Sequence, residues 1–310
     1  MSDFSDLIQK AWRRLEPIPP ATINITADYT AGSNTITFDQ TSLNFNSIVP
    51  GALVTLGLNV LIVTGTPNGS TGVTAILGGQ QGSTDVSVDY DLTANSAQCF
   101  IQPRFTPWDI SVAINDELKA LTTPKSGIGQ ILTSDQTFIP VYMGYDLGSS
   151  FDPVRSRVLE ITFALPAPMR QNPLIRRGEY RVIRATNQPG IFPSGNGVLI
   201  YRDAFVGFPI HITQLAPFQP LVNLTDSLQT VAGVPIYMED IVEFGAVLRL
   251  APDREIQRNS LAFQRDPRKA AEVPATAQMH SIDALQRRYQ SRLDDEAANI
   301  KYAYKQSEGW

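Results

Sequence analysis

Residues 106–121 read Thr-Pro-Trp-Asp-Ile-Ser-Val-Ala-Ile-Asn-Asp-Glu-Leu-Lys-Ala-Leu, and this stretch sets the frame for the rest of the chain. It carries its own helix start. Thr106 supplies an N-cap hydroxyl, Pro107 suits the first helical position, and Asp109 completes a capping-box spacing while placing negative charge in the first turn. Ile110, Ala113, Ile114, Leu118 and Leu121 then recur at helical spacing and define one apolar stripe. The sequence is β-like on both sides of this helix, but of two different kinds. The expectation is therefore an α+β fold: a helical bundle of N-terminal, central and C-terminal helices with two inserted antiparallel β modules, one small and barrel-like, one sandwich-like. The boundaries that follow are 1–20 for the N-terminal helix, 21–104 for the barrel-like module and 105–123 for the central helix; 124–235 is the sandwich-like module and 236–310 the C-terminal helical region.

Residues 1–16 form an amphipathic pattern with Phe4, Leu7, Ile8, Ala11, Trp12 and Leu15 on one face. Lys10, Arg13 and Arg14 sit near its C-terminal end, and Pro17, Pro19 and Pro20 stop it. A helix this short needs a packing partner. Strand patterns follow at 34–38, 52–56, 60–64, 73–77 and 86–90. The Gly78–Thr84 run lacks the lysine of a phosphate-binding loop and reads as a hairpin turn. Beyond the central helix, strands are expected at 138–143, 158–165, 180–185, 198–202 and 210–215. From Tyr237 the pattern is helical to Leu250, with Gly245 in its middle. A glycine there costs about 1 kcal/mol against alanine, so close approach of another helix is expected. A polar helix over 253–265 and a long one over 281–305 complete the chain. The last carries only a narrow stripe (Ile282, Leu285, Tyr289, Leu293, Ala297, Ile300, Tyr304), which suits packing along a neighbour.

The chain has 310 residues, enough for two or three packed units, and a net charge of -5, which argues against a general nucleic-acid coat. Its single cysteine, Cys99, excludes a disulfide framework and a cysteine metal site. Neither a signal peptide nor a membrane span is expected. The charge distribution says more than the total. Between Arg14 and Arg104 there is no Lys or Arg, while Glu16, Asp28, Asp39, Asp85, Asp89 and Asp91 fall in that gap. The second β segment is the converse, with Arg155, Arg157, Arg170, Arg176, Arg177, Arg181, Arg184 and Arg202 against few acids. Such a face is either solvated or set against an acidic neighbour or DNA phosphate.

Recognisable catalytic chemistry is missing from the sequence. His211 and His280, the two histidines, belong to no metal-ligand spacing, and no G-x-S-x-G elbow occurs. Asp89 and Asp91 read as turn or edge aspartates, and Asp294-Asp295-Glu296 as a solvated helix face. The expectation is a protein that is not an enzyme and takes no cofactor or metal.

Two regions resemble the head-to-tail adaptor (neck) proteins of tailed bacteriophages. One is Pro103-Arg104-Phe105-Thr106 running into Ile110-Ser111-Val112-Ala113-Ile114-Asn115-Asp116-Glu117-Leu118. The other runs from Tyr237-Met238-Glu239-Asp240-Ile241-Val242-Glu243-Phe244-Gly245-Ala246-Val247 through Leu285 to Tyr289, Arg292-Leu293, Glu296-Ala297 and Tyr302 to Tyr304. The Gly78–Thr84 turn is similar to a Gly-rich turn in small barrels of such proteins. The resemblance implies a virion structural protein at the head–tail junction, assembled in the host cytoplasm. Its copies would form a homo-oligomeric, dodecameric ring between the portal protein and a downstream tail or stopper protein. Genomic DNA would pass through without specific binding, and no membrane is involved. On this reading Trp12, Trp108, Ile114, Leu118, Phe244, Leu285, Tyr289 and Leu293 serve helical core and inter-subunit packing. Tyr304 and Trp310 belong to a portal-docking tail, and Asp85, Asp89 and Asp91 face the channel, where withheld cations let DNA slide. The alternative is a receptor- or glycan-binding tail protein, for which Tyr145, Phe151, Phe192 and Phe208 are candidate loop-tip aromatics.

Overall fold

The computed structural model describes residues 3–16, 20–25, 28, 35–38, 42–43, 52–56, 59–63, 73–79, 98–101, 103, 105–123, 127–139, 144–164, 173–188, 190–201, 206–251 and 275–304. Four α-helices lie among them: α1 (Phe4–Leu15), α2 (Pro107–Leu121), α3 (239–251, preceded by a 3-10 turn at Ile236–Met238) and α4 (Ala275–Ala303). The start of α2 is fixed by a reciprocal capping box. Thr106 Oγ1 accepts from the Asp109 amide at 3.1 Å, and Asp109 Oδ2 accepts from the Thr106 amide at 3.1 Å.

The strands form three antiparallel sheets. The first has six strands in the order β1-β6-β3-β4-β5-β2: β1 (Ala21–Asn24), β6 (Gln98–Ile101), β3 (Leu53–Leu56), β4 (Asn59–Val63), β5 (Val73–Gly79) and β2 (Thr35–Phe38). An isolated bridge between Ile25 and Phe38 brings the two ends of that order together. Two three-stranded sheets follow. One is β7 (Gln130–Thr137), β12 (Pro209–Ala216) and β9 (Arg157–Phe163), with β12 central; the other is β10 (Tyr180–Ile183), β11 (Gly197–Ile200) and β8 (Tyr145–Asp146), with β11 central. Both bury one face in a shared apolar core of Phe138, Tyr145, Phe151, Ile161, Phe163, Val198, Ile210 and Ile212.

The helices share a second core, but they do not make the expected helical bundle about a central helix. The architecture is mixed α and β, and α2 is flanked by irregular chain as well as by helices. Phe218, Leu221, Leu228, Ala232 and Val234, all from the connection between β12 and α3, lie in the same core as Phe4, Leu7, Ile110, Ile114, Ile241 and Val242. That connection is held like an extra strand. Asn115 donates to the Leu221 carbonyl and accepts from the Leu221 amide, both at 2.9 Å. It also anchors α1, whose first amides, Phe4 and Ser5, donate to the carbonyls of Asp226 and Leu224 at 2.9 and 3.0 Å. The loop thus fills the place a further helix would take. Of α4, Leu293 is buried in this core, and Leu285, Tyr289, Ala297 and Ile300 pack half-buried against it.

The element bounds shift too. Strand β7 (Gln130–Thr137) was not expected, and Phe138 is buried just past its end; most of the strand expected at 138–143 lies outside the described residues. Strands β1 and β6 were not expected, and α4 starts at Ala275 rather than 281. The expected strand at 86–90 and helix at 253–265 lie outside the described residues.

Candidate functional site at the helix junction

The apolar stripe of α2 contains one carboxylate. Glu117 stands three residues after Ile114, so the helical repeat turns it inward, and it is 2% exposed. A buried carboxylate must be paired and hydrogen-bonded. Tyr289 of α4 donates its hydroxyl to Glu117 Oε1 at 2.6 Å, and Arg249 of α3 donates Nε to Oε2 at 2.9 Å. Gly245 makes the room: a Cβ placed there would come within 2.2 Å of the Glu117 Cδ. One side chain therefore joins α2, α3 and α4. Burial first, and then the neighbouring Glu117 charge, pushes the Tyr289 hydroxyl well above the ordinary tyrosine range. Both carboxylate oxygens accept from protein donors, so the group ties the three helices together.

The acidic side chains of α3 extend the network. Arg292 of α4 donates to Asp240 Oδ2 at 2.9 Å, to Glu296 Oε1 at 3.2 Å and to the Tyr237 carbonyl at 2.9 Å. From α1, Lys10 pairs with Glu239 and Arg14 with Glu243, while the Arg14 guanidinium lies 4.8 Å from the centroid of Phe244. The hydrogen bond to Glu239 raises the Lys10 pKa, against the opposing effect of burial. Glu16, at the end of α1, accepts from Trp12 Nε1 and from the Phe105 amide, both at 3.0 Å, and so ties α1 to the start of α2.

Most of the residues singled out in the sequence fall in or against this core. Trp12, Ile114, Leu118 and Leu293 are buried in it, and Leu285 and Tyr289 pack half-buried against it. Trp12 meets Phe100 edge-on at 4.5 Å. Phe244 is half-buried beneath Arg14. Trp108 points outward at 38% exposure, one turn before Val112 at 40%. Tyr304 directly follows α4; burial, then the Glu160 charge, raises its hydroxyl pKa. Trp310 and Asp85, Asp89 and Asp91 lie outside the described residues. Tyr145, Phe151 and Phe192 are core residues, not loop-tip aromatics, and Phe208 is half-buried.

His211 pairs across strands with Asp135, and His280 lies within α4 rather than ahead of it. Cys99 is fully buried, and burial pushes its thiol up to about 12. Sequence reasoning missed Glu117, Arg249, Arg292 and Asn115 as the groups that organise the junction. Two signals were present: a glutamate inside the α2 stripe and a glycine in the middle of α3.

Among the described residues no His, Cys, Asp and Glu side chains cluster as a metal site, and no helix is long and apolar enough to cross a membrane. Compared with known proteins, the chain matches no family model, no curated protein and no solved structure.

Proposed function

We propose that the chain is a structural virion protein, a head-to-tail adaptor of a tailed bacteriophage. Its copies form a dodecameric ring that joins the portal protein to a downstream tail or stopper protein and lets the genome pass. The observation that carries this reading is α4. It is 29 residues long, about 44 Å of helix, yet of its described side chains it buries only Leu293 and Glu296. Asp283, Arg287, Arg288, Asp294 and Asp295 are exposed along it, and Tyr302 is 82% exposed near its end. Leu285, Tyr289, Ala297 and Ile300 pack half-buried against the core, and the exposed charged remainder of so long a helix suits an assembly in which another surface lies beside it. The charged groups at the helix junction are consistent with this, because each is spent on joining helices and none is offered to a substrate. The receptor-binding alternative loses its main support, since three of its four aromatics are in the core.

The test is to locate a tagged copy in purified phage particles by gold labelling. Label at the head–tail junction is the expected result. Label at the tail tip or fibres, or none in any particle, would remove the adaptor reading.

A further inference from the structure

A sheet edge presents free N–H and C=O groups that can capture another strand, and proteins guard it with brevity, cations, bulges or covering chain. The two small sheets are guarded in this way at three of their edges. The outer edge of β9 is covered: Phe163 donates to the Pro173 carbonyl at 3.0 Å, and Ile175 to the Ile161 carbonyl at 2.9 Å. Strand β8 has two residues, and β10 has four and carries the exposed Arg181. Strand β7 is the exception. It has eight residues, no Lys, Arg or Pro, and an unbroken register with β12 from Gln130–Ala216 to Thr137–Pro209. Among the described residues only β12 pairs with it.

The ladder shows which groups are free. Phe138, the residue after β7, donates its amide to the Phe208 carbonyl at 2.9 Å, and Ala164 donates to the Pro209 carbonyl at 2.8 Å, which turns the Pro209 backbone away from Thr137. By antiparallel alternation the backbones of Gln130, Leu132, Ser134 and Gln136 face β12, and those of Ile131, Thr133, Asp135 and Thr137 face outward. No hydrogen bond reaches these outward backbone groups among the described residues, and the four side chains are exposed.

The edge is complementary to itself. Set antiparallel to a copy of itself about Ser134, it opposes Ile131 with Thr137 and Thr133 with Asp135. Each of these pairs exchanges two backbone bonds, about eight in all. This longest overlap keeps the two Asp135 carboxylates apart and sets each across from a Thr133, whose hydroxyl can donate to it while accepting from Thr213 Oγ1 at 3.2 Å. On the axis Ser134 meets the partner's Ser134. The Ser134 hydroxyl is buried without a hydrogen-bond partner in the single copy, and cross-strand hydroxyls bond one another. We infer that β7 pairs antiparallel with β7 of a second copy, joining the two sheets into one in the order β9-β12-β7-β7-β12-β9. The contact is isologous and closes at two copies, so it describes the free chain and goes beyond the adaptor reading, whose ring needs heterologous contacts. In that state the edge is closed to other strands.

The experiment uses the full chain. Sedimentation velocity over a concentration series is expected to show one copy passing to two. Thr133→Pro removes an amide that the chain's own ladder does not use, a position where an edge strand tolerates proline. It should leave the urea midpoint nearly unchanged and weaken pairing by about a hundredfold, because two symmetry-related backbone bonds are lost. Ser134→Cys should form a disulfide between copies in oxidised glutathione, since a non-hydrogen-bonded pair holds its Cα atoms about 4.5 Å apart. Thr137→Cys should not, because the same register puts its counterpart about 20 Å away. A single copy at every concentration, pairing untouched by Thr133→Pro, or disulfides no more frequent from Ser134→Cys than from Thr137→Cys would overturn the inference. Slow amide exchange at Ile131, Thr133, Asp135 and Thr137 in the single copy would mean that another stretch of this chain covers the edge, and would overturn it too. A larger assembly that survives Thr133→Pro, with gold label at the head–tail junction, would remove this contact and leave the adaptor reading standing. The expected pairing without label at the junction would do the reverse.

Discussion

Replacing Gly245 by alanine separates two opposed effects at the helix junction. In an unencumbered helix the change stabilises by about 1 kcal/mol, because glycine loses more backbone freedom on folding. Here the three nearest atoms to the new Cβ all belong to Glu117, at 2.2, 2.5 and 2.5 Å. No real Cβ contact is that short, so the Glu117 side chain must shift, and the shift is expected to break its bonds to Tyr289 and Arg249. Breaking a buried charged pair costs about 3–5 kcal/mol. The net expectation is a loss of about 2–4 kcal/mol in Gly245→Ala, read as a lower urea midpoint at unchanged slope. The sign reverses in a second background. With Glu117→Ala already present the obstruction is gone, and Gly245→Ala should then gain about 1 kcal/mol. A substitution that stabilises the wild-type chain, or costs the same with and without Glu117, would refute the account of this junction.

Three further changes test other joints. Asn115→Ala removes both hydrogen bonds to the Leu221 backbone and should cost about 2 kcal/mol, with faster amide exchange at Leu221. The Lys10–Glu239 pair is partly exposed, at 44% and 15% for the two side chains, so a double-mutant cycle in urea should give a coupling of about 0.2–1 kcal/mol, weakened by salt. The Cys99 thiol is raised from 9.0 to about 12 in the folded chain, so the unfolded chain sheds its proton first. The stability this group contributes is whole below pH 9 and falls by about 1.4 kcal/mol per pH unit towards 12. Cys99→Ala should lose that part of the alkaline decline, as read from urea midpoints at pH 8, 10 and 11.

What the sequence disclosed was mainly local. The Thr106–Asp109 box and Pro107 announce α2 because a cap is made by residues a few positions apart, and the stripe of α1 is equally self-contained. Strand β7 could not be read in the same way. Its half-covered face is Gln130, Leu132, Ser134 and Gln136 and its exposed face begins with Ile131, so the strand lacks the apolar alternation that would reveal it. Its order comes from β12, which pairs with all eight of its residues. The expected bundle failed for a related reason. Phe218, Leu221, Leu228 and Ala232 stand at helix-compatible spacings, but Pro217, Pro220, Gly233 and Pro235 break the stretch, so nothing local predicts that this irregular chain enters the helix core. Glu117 was legible only as a glutamate in an apolar stripe, whereas Gly245 already announced the close approach of another helix that its contact with Glu117 of α2 shows. Their relation is visible once α2 and α3 are side by side.

The arginines divide by availability rather than by type. Arg14, Arg249 and Arg292 each pair with a carboxylate on another element or turn of the helix junction, whereas Arg155, Arg176, Arg177 and Arg181 on the β10 side pair with none among the described residues. The two groups should respond differently to salt. The junction is built around Glu117, whose side chain is 3% exposed, and is little screened. Exposed guanidiniums are screened beyond about 8 Å at physiological ionic strength, and at shorter range in higher salt. Any association carried by these exposed arginines should therefore weaken as salt rises, while the urea midpoint of the chain holds nearly constant. The reverse pattern, assembly that persists in high salt together with a chain that loosens, would leave the arginines as solvated surface.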